Sequence, residues 1–313
     1  MGAGDARGAA HAVDNAALAE VESLALEIAR AAGALAAGAL ERNLEITYKT
    51  EARGRRPPTD PVSETDHAIE QLVRERVGAR YPEHAILGEE VDEHPQEDRE
   101  WVWVIDPVDG TANFINGFPL FAVSIGVLHR GLPVAGAIWC GTTHALHPGV
   151  YHARRDGGLR FEGEALDPSR PTEGVRRRLA GAPGGAGAGR REWDNRVTGS
   201  AAIEIAFVAA GILTSATFWG LRIWDLAAGV VLAGEAGREA WVREGSRWER
   251  FERFAPPGRL PPNVKEQRAP TLRDWRQPMI VGTPEATAIL RSTVRGPSRW
   301  QRLRRRARRL LRR

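Results

Sequence analysis

The sequence predicts a mixed α/β fold, in which helices and short strands alternate along one chain of 313 residues. Two patterns indicate this: segments with apolar residues at helical spacing, and short apolar runs that end in acidic residues. The composition, 42% hydrophobic and 27% charged, is typical of a globular protein and excludes collagen-like or generally disordered chains. Cys140 is the one cysteine, which rules out an internal disulfide and favours a reducing, cytoplasmic location.

The N-terminal half of the fold is expected at 13–180, after a flexible N-terminus at 1–12. From Val13 the apolar residues share one helical face, and a second helix ends at Tyr81-Pro82. Strands are expected at 85–87 and 101–105, and a hairpin at 120–140. The charged residues of the first helix are expected on its other faces: Glu20, Glu22, Glu27 and Arg30.

The C-terminal half is expected at 181–294 and begins with a Gly-rich stretch, 181–189, that is a candidate loop or seam. Residues 241–277 show little periodicity. The remaining predicted elements are helices at 200–213, 225–236 and 284–294, and strands at 214–219 and 279–281.

The net positive charge of the chain comes from an Arg-rich tail, 295–313. Residues 300–313 contain eight arginines and no acid, and the rest of the chain has 36 basic and 40 acidic residues. On a helix, the apolar residues of this tail would share one face, which suggests contact with an anionic membrane or with nucleic acid. The alternative is a solvated, disordered tail. The apolar stretch 31–40 is too short to span a bilayer.

Acidic residues stand at the ends of two predicted strands and at the head of a predicted helix. They are found in Gly88-Glu89-Glu90, in the run from Asp106 to Thr111, and in Trp224-Asp225. Carboxylates at strand ends converge on one edge of a sheet, where they repel one another unless cations lie between them. Because no histidine or cysteine occurs in these clusters, Mg²⁺ is favoured over zinc.

Each cluster taken alone has a structural alternative. Glu89-Glu90 is typical of a solvated turn, and Asp225 of a helix N-cap. In the central cluster, Gly110-Thr111 begins a predicted helix, where backbone N–H groups favour an anion beside the metal ligands. Three histidines near residue 150 do not have the spacing of a shared metal site, and we expect them at the surface: His144, His147 and His152.

These clusters resemble motifs of the inositol monophosphatase family of Mg²⁺-dependent, lithium-sensitive phosphatases, related to fructose-1,6-bisphosphatases. The resemblance covers Val13 to Val294 and rests on four segments: GEE at 88–90, WVIDPVDGTANFINGFPLFAVSIGV at 103–127, GSAA at 199–202 and WDLAAG at 224–229. It implies the layered α/β/α/β/α sandwich of that family. It also implies a homodimer and a small phosphorylated substrate.

The resemblance implies two or three Mg²⁺ ions. The first would be held by Glu89, Asp106 and the carbonyl of Val108. The second would be held by Asp106, Asp109 and Asp225, so that Asp106 bridges the two ions. Two such ions activate water and stabilise both the attacking and the leaving oxygen of the displacement.

The resemblance also implies how the phosphate and the attacking water are held. The family's backbone contacts to phosphate fall on Gly110 and Thr111. Its attacking water, on the first metal, is oriented by the acid and the hydroxyl that fall on Glu89 and Thr111. Asp66 matches the aspartate that steadies this threonine.

The sequence departs from the family pattern near the substrate. Many inositol phosphatases have a glutamate seven residues before the Trp-Asp aspartate, and Phe218 stands there in this chain. Arg55 or Arg56 could supply a basic residue found before the Pro-Val-Ser-Glu-Thr-Asp stretch of relatives. We therefore predict a phosphomonoesterase for a small polyol or sugar phosphate. The alternatives are a bisphosphate nucleotidase, a histidinol-phosphate-type phosphatase, and a phosphatase-like body that binds membrane or nucleic acid through its tail.

Overall fold

The computed structural model describes residues 13–40, 46–48, 61–91, 99–168, 178–181, 193–260 and 268–294. The α-helices are α1 (Asn15–Leu40), α2 (Glu64–Arg80), α3 (Thr111–Ile115), α4 (Ala201–Ala209), α5 (Ile223–Glu235) and α6 (Pro284–Thr293). A short 3-10 helix covers Leu272–Asp274. The strands are β1 (Ile46–Tyr48), β2 (Pro61–Ser63), β3 (Ala85–Gly88), β4 (Trp101–Asp109), β5 (Ala122–His129), β6 (Leu132–Cys140), β7 (Gly149–Arg154), β8 (Arg160–Phe161), β9 (Glu164–Ala165), β10 (Leu179–Gly181), β11 (Asp194–Arg196), β12 (Ser215–Phe218), β13 (Glu239–Glu244), β14 (Arg247–Arg250) and β15 (Met279–Gly282).

These elements form five layers around two sheets. Helices α1 and α2 cover one face of a seven-stranded sheet in the order β3-β4-β5-β6-β7-β8-β9, and α4 and α5 cover the other. A six-stranded sheet in the order β11-β10-β12-β15-β13-β14 packs on the far side of α4 and α5, with α6 outside it. The predicted layered α/β/α/β/α sandwich is confirmed.

Strand β4 shows why the centre of the fold has such an apolar sequence. Trp103 and Ile105 pack under α1 and α2, whereas Val102 and Val104 face the α4–α5 layer. Because successive side chains of a strand point to opposite faces, a strand covered on both faces needs apolar residues at every position.

Glycines of the sheet let α5 lie close to it. A Cβ at Gly126 would come within 2.7 Å of the Ala227 Cβ, and one at Gly136 within 2.6 Å of the Ala228 carbonyl oxygen. Only glycines on the sheet and small residues on α5 permit this approach. The first turn of α5 is thereby placed beside β5.

Several predicted elements have the expected positions, whereas several strands were not predicted, among them β10, β11, β13 and β14. The hairpin is β5–β6, and the first two helices are α1 and α2. Strands β13 and β14 form a hairpin within 241–277, where the sequence showed little pattern. The predicted boundary at 180 falls within β10, which pairs with β11 and β12. The predicted N-terminus 1–12, the tail 295–313, Arg55, Arg56 and the stretch 182–189 lie outside the described residues.

Helix α1 differs from the expectation in what it buries. By length and composition alone it could cross a membrane, but it packs on α2 and the seven-stranded sheet. Glu22, expected on a face other than the apolar one, is only 5% exposed, and His152, expected at the surface, is 4% exposed. Both expectations are wrong because these side chains satisfy each other: His152 Nδ1 lies 2.7 Å from Glu22 Oε1, and Arg154 donates to Glu22 Oε2 at 2.7 Å.

Candidate metal centre

A β-bulge brings two aspartates of β4 to the same place. Asp106 pairs with Ser124 of β5, and Asp109 pairs with Ala122, so β4 has two residues where β5 has one. Residues three apart on a regular strand would point to opposite faces, and a bulge corrects this by turning the chain. Pro107 lies within the bulge, where its missing N–H costs no ladder hydrogen bond.

The first turn of α5 adds a third carboxylate. Asp225 accepts a hydrogen bond from the backbone N–H of Arg222 at 2.6 Å, so it caps the helix from its third position. Ser124, the β5 partner of Asp106, donates its hydroxyl to the Trp224 carbonyl at 3.2 Å. As a result, carboxylate oxygens of Asp106, Asp109 and Asp225 lie within 4.8 Å of one another. Asp225 therefore both caps a helix and belongs to the cluster.

Burial raises the pKa values of all three carboxylates. Asp106 is 1% exposed, and burial, followed by the negative charges around it, holds its pKa well above the usual range. Burial raises the pKa of Asp109 to about 6, although hydrogen bonds from its neighbours partly oppose this. Burial and the charge of Asp109 raise the pKa of Asp225 to about 7. Burial therefore disfavours full ionisation of this cluster, and a positive charge from outside the chain would favour it.

One atom of the cluster shows what kind of group would fit. Oδ1 of Asp106 is buried and has no hydrogen-bond partner among the described residues. An unpaired buried carboxylate oxygen is costly, and oxygen ligands from several carboxylates suit a hard divalent cation such as Mg²⁺, Mn²⁺ or Ca²⁺. The residues present therefore fit a divalent metal.

The GSAA segment holds Asp109 in place. Asp109 Oδ2 accepts hydrogen bonds from the Ser200 hydroxyl at 2.6 Å and from the Ala202 N–H at 2.5 Å. Ser200 also accepts from the Ile203 N–H and so caps α4. The resemblance includes this segment, but the contact of Ser200 with Asp109 was not predicted. A serine just before a predicted helix was the available signal.

Gly110 is a residue that the geometry requires. It has a left-handed φ of 87°, which favours glycine, and an added Cβ would lie 3.1 Å from the Leu120 carbonyl oxygen. Next to it, Asn113 donates to the carbonyl oxygens of Leu120 at 2.6 Å and Thr198 at 2.7 Å. The turn after β4 is thus tied to the segment before α4.

The other predicted site residues surround the cluster. Glu89 follows Gly88, which pairs with Ile105, so it emerges beside Asp106, and its charge raises the pKa of that aspartate. Asp66 of α2 is 2% exposed and acts on Asp106 in the same direction.

The hydroxyl of Thr111 has an identified partner. Its Oγ1 donates to the carbonyl of Val108 at 3.0 Å, the carbonyl that the resemblance assigns to the first metal. Phe218, in contrast, is 3% exposed and packs in the core between the α4–α5 layer and the six-stranded sheet. It contributes no hydrogen-bond acceptor to the site.

Comparisons with known proteins agree with this geometry. The family model described as the inositol monophosphatase family matches residues 17–259. The chain is 32% identical to the chloroplastic phosphatase IMPL1 of Arabidopsis thaliana over 76% of this chain and 67% of that protein. It is 35% identical to the Nus factor SuhB of Pseudomonas aeruginosa over 69% of this chain and 82% of that protein.

A solved structure has the same fold. The extragenic suppressor protein suhB from Bartonella henselae superposes with a TM-score of 0.65 at 26% identity, covering 87% of this chain and 97% of that one. The family match spans the bulge of β4 and the head of α5. The chain therefore belongs to the inositol monophosphatase family, and with it to the phosphoric monoester hydrolases.

Proposed function

We propose that this protein is a Mg²⁺-dependent phosphomonoesterase that hydrolyses a small polyol or sugar phosphate with the help of two metal ions. The observation that carries the proposal is the cluster of three carboxylates within 4.8 Å, in which a buried oxygen of Asp106 has no hydrogen-bond partner in the described part of the chain. Membership of a metal-dependent phosphatase family supports it.

The residues that would hold the metal ions follow from the site and the resemblance together. Asp106, Asp109 and Asp225 would hold one ion, and Glu89, Asp106 and the Val108 carbonyl the other. When bound, divalent cations supply positive charge to a phosphate ester and lower the pKa of a bound water.

The chain's own groups keep this site in order before any substrate arrives. Ser200 and the Ala202 N–H fix the Asp109 carboxylate, and the Arg222 N–H fixes that of Asp225. A preorganised site does not have to reorganise during the reaction, which is a large part of electrostatic catalysis. Glu89 is the partly exposed acid beside the cluster, and we propose that its carboxylate accepts the proton of the attacking water, which the Thr111 hydroxyl orients.

The substrate class rests on Phe218. A buried phenyl ring at that position cannot accept a hydrogen bond from a substrate hydroxyl, so the proposal is a polyol or sugar phosphate and not inositol 1-phosphate in particular. The nucleotidase and histidinol-phosphate alternatives remain to be separated by experiment.

The test is a phosphate-release assay on the purified full chain. Inositol, sugar, nucleotide and histidinol phosphates are compared in Mg²⁺, in EDTA, and in Mg²⁺ with added Li⁺. We expect turnover of a polyol or sugar phosphate that requires Mg²⁺ and is inhibited by Li⁺. Undiminished turnover in EDTA would refute the two-metal mechanism, and preference for a nucleotide or histidinol phosphate would select an alternative.

The Arg-rich tail supports a second, independent proposal. Eight arginines in residues 300–313 favour binding to an anionic membrane or to nucleic acid. Co-sedimentation of the full chain and of a chain truncated at 299, with anionic vesicles and with DNA, tests this. Equal co-sedimentation of the two proteins would assign the tail no such role.

A homodimer and a cytoplasmic location also remain proposals, and light scattering tests the first.

A further inference from the structure

Residues 88–91, here called the Glu89 turn, begin with the last residue of β3, so Glu89 itself follows the end of the strand. The last pair of the β3–β4 ladder is Gly88 with Ile105, so Glu89 and the residues after it lie beyond the paired residues of the sheet. A ligand that has to be held within a fraction of an ångström needs support from other groups. Two charged side chains supply that support, one to the N–H groups and one to the carbonyl groups of the turn.

The first is Glu70 of α2, which binds the N–H groups of the turn. Glu70 is 1% exposed, and its carboxylate accepts from the backbone N–H of Glu90 at 2.9 Å and of Val91 at 3.3 Å. Its charge is paired with Arg74 at 2.7 Å. Gly88 has no Cβ because the Glu70 carboxylate occupies that space.

The second is Arg273, which binds the carbonyl groups of the turn. Its two terminal nitrogens donate to the carbonyl oxygens of Gly88 at 2.5 Å and Glu89 at 2.8 Å. The planar guanidinium can bind two neighbouring oxygens at once, which an ammonium group cannot do in the same way. Arg273 lies beyond residue 259, where the family match ends.

The same arginine also contacts the head of α5. Its guanidinium carbon is 5.1 Å from the centre of the Trp224 ring, within the range of a cation–π interaction. Arg222 stacks on the same tryptophan at 5.4 Å and donates to the Arg273 carbonyl at 3.1 Å. Arg273 therefore connects the turn that carries Glu89 to the residue before Asp225.

Arg273 is itself firmly held. It lies in the 3-10 helix, where the Asp274 carboxylate accepts from the Thr271 N–H at 2.9 Å. Arg268 binds both oxygens of Asp274, at 2.6 and 3.0 Å. The backbone around Arg273 is thus anchored by a bidentate ion pair, which limits its freedom to follow a moving turn.

We propose that Arg273 is a positioning residue for the metal centre. By holding the carbonyls of the Glu89 turn against Trp224, it sets the distance between Glu89 and the Asp106–Asp225 pair. The inference rests on the proposed function, because it assigns Glu89 to the cation beside Asp106. It adds a residue from the C-terminal part of the chain that acts on the site through the Glu89 turn and is not one of the proposed ligands.

The experiment measures metal binding separately from turnover. Mn²⁺ binding to the full chain is followed by calorimetry without substrate, and kcat and KM for the best phosphate ester are then measured at saturating Mg²⁺. For Arg273→Ala we expect the Mn²⁺ dissociation constant to rise and kcat to fall, each by about 10-fold or more, with KM nearly unchanged. Millimolar guanidinium, but not ammonium, should restore part of both.

Two further variants make the result specific. Arg273→Lys keeps the charge but loses the two-oxygen contact, and we expect it to fall between the wild type and Arg273→Ala. Arg238→Ala is the matched control, because Arg238 is also partly buried and donates to a backbone carbonyl, that of Val208 at 3.2 Å, but follows the far end of α5. It should leave Mn²⁺ binding and kcat unchanged.

The outcomes distinguish this proposal from the proposed function. A folded Arg273→Ala protein with wild-type Mn²⁺ affinity and kcat would overturn the positioning role. If that variant does not fold, unchanged Mn²⁺ binding in Arg273→Lys overturns it instead. If the wild type binds Mn²⁺ but hydrolyses no ester of the panel, the proposed function fails, and the binding comparison still decides the role of Arg273.

Discussion

The seven-stranded sheet has buried carboxylates on both of its faces, and the two groups are built in opposite ways. On the α1 face, both oxygens of Glu22 have cationic or donor partners, Arg154 and His152, at 2.7 Å each. On the α5 face, Asp106 is surrounded by other acids, and one of its oxygens has no hydrogen-bond partner among the described residues. Burial is similar, with 5% exposure for Glu22 and 1% for Asp106.

The neighbours, and not the burial, decide the direction of the pKa shift. Burial raises the pKa of Glu22, but hydrogen bonds from His152 and Arg154 outweigh this and leave it lowered. Burial and neighbouring acids act together on Asp106, whose pKa is held well above its usual range. A buried carboxylate whose hydrogen bonds and charge are satisfied by other groups of the chain has a structural role. One whose neighbours carry the same charge indicates a ligand from outside the chain.

The largest expected effect comes from removing one charge of the aspartate cluster. Asp225→Asn should lower kcat at saturating Mg²⁺ by at least about a hundredfold, because one of the proposed metal ligands loses its charge. In EDTA, the same variant should unfold at the same or a higher temperature, since one of the repelling charges is gone. Steady-state kinetics and thermal unfolding measure the two effects.

The matched control for this variant is Asp156→Asn. Asp156 is exposed in a turn with a left-handed φ of 59°, which asparagine also adopts readily, and it lies outside the cluster. It should change neither kcat nor stability. Near-normal turnover of Asp225→Asn would remove this residue from the site.

A smaller effect, on stability and not on turnover, is expected from a substitution on the α1 face. Glu22→Gln should lower the free energy of unfolding by about 3 kcal/mol, because it leaves the partly buried charge of Arg154 without its partner. The kcat of the folded protein should not change, since Glu22 is outside the site. Denaturant unfolding and kinetics below the unfolding transition check this. If Glu22→Gln lost turnover while its free energy of unfolding stayed unchanged, Glu22 would belong to the functional site and not to the scaffold.

The aspartate cluster could be predicted from the sequence because its segments carry local signals that indicate a site when they are taken together. Asp106 and Asp109 follow an apolar run and flank a proline, and Asp225 begins a helical pattern. The bulge that brings the first two together is not a local signal, since it depends on the pairing of β4 with β5. The local sequence pattern therefore predicts the residues of the cluster, whereas the pairing of β4 with β5 determines how they are arranged.

The scaffold contacts could not be predicted, for two physical reasons. The predicted stripe of α1 relied on large apolar residues, whereas the helix also buries alanines such as Ala25 and Ala29, which widens the buried face until it includes Glu22. The partners are also distant in sequence: His152 is 130 residues from Glu22, and Arg273 is 184 residues from Glu89. The missed β13–β14 hairpin has a different cause, since β14 (Arg247–Arg250) is mostly charged and exposed.

The smallest expected effect is a difference in pH dependence between the wild type and Asp225→Asn in EDTA. The folded-state pKa values of Asp109, about 6, and Asp225, about 7, lie above the ordinary value of 3.8. The folded cluster therefore binds more protons than the unfolded chain, and the stability from these groups is lost as the pH rises through these values. Glu22, whose pKa is lowered, acts in the opposite direction. The stability that its ionised carboxylate contributes is lost only as the pH falls through this lowered pKa.

The measurement is the unfolding temperature in EDTA between about pH 5 and pH 8, the window in which the raised pKa values act. It should fall more steeply with pH in the wild type than in Asp225→Asn, which has one fewer carboxylate to ionise. Burial also raises the pKa of Glu204, to about 7, but this group is present in both proteins and cancels in the difference. Saturating Mg²⁺ should flatten the wild-type profile, because a bound cation stabilises the ionised cluster. Parallel profiles in EDTA would show that the aspartate cluster, like Glu22, is already neutralised within the chain.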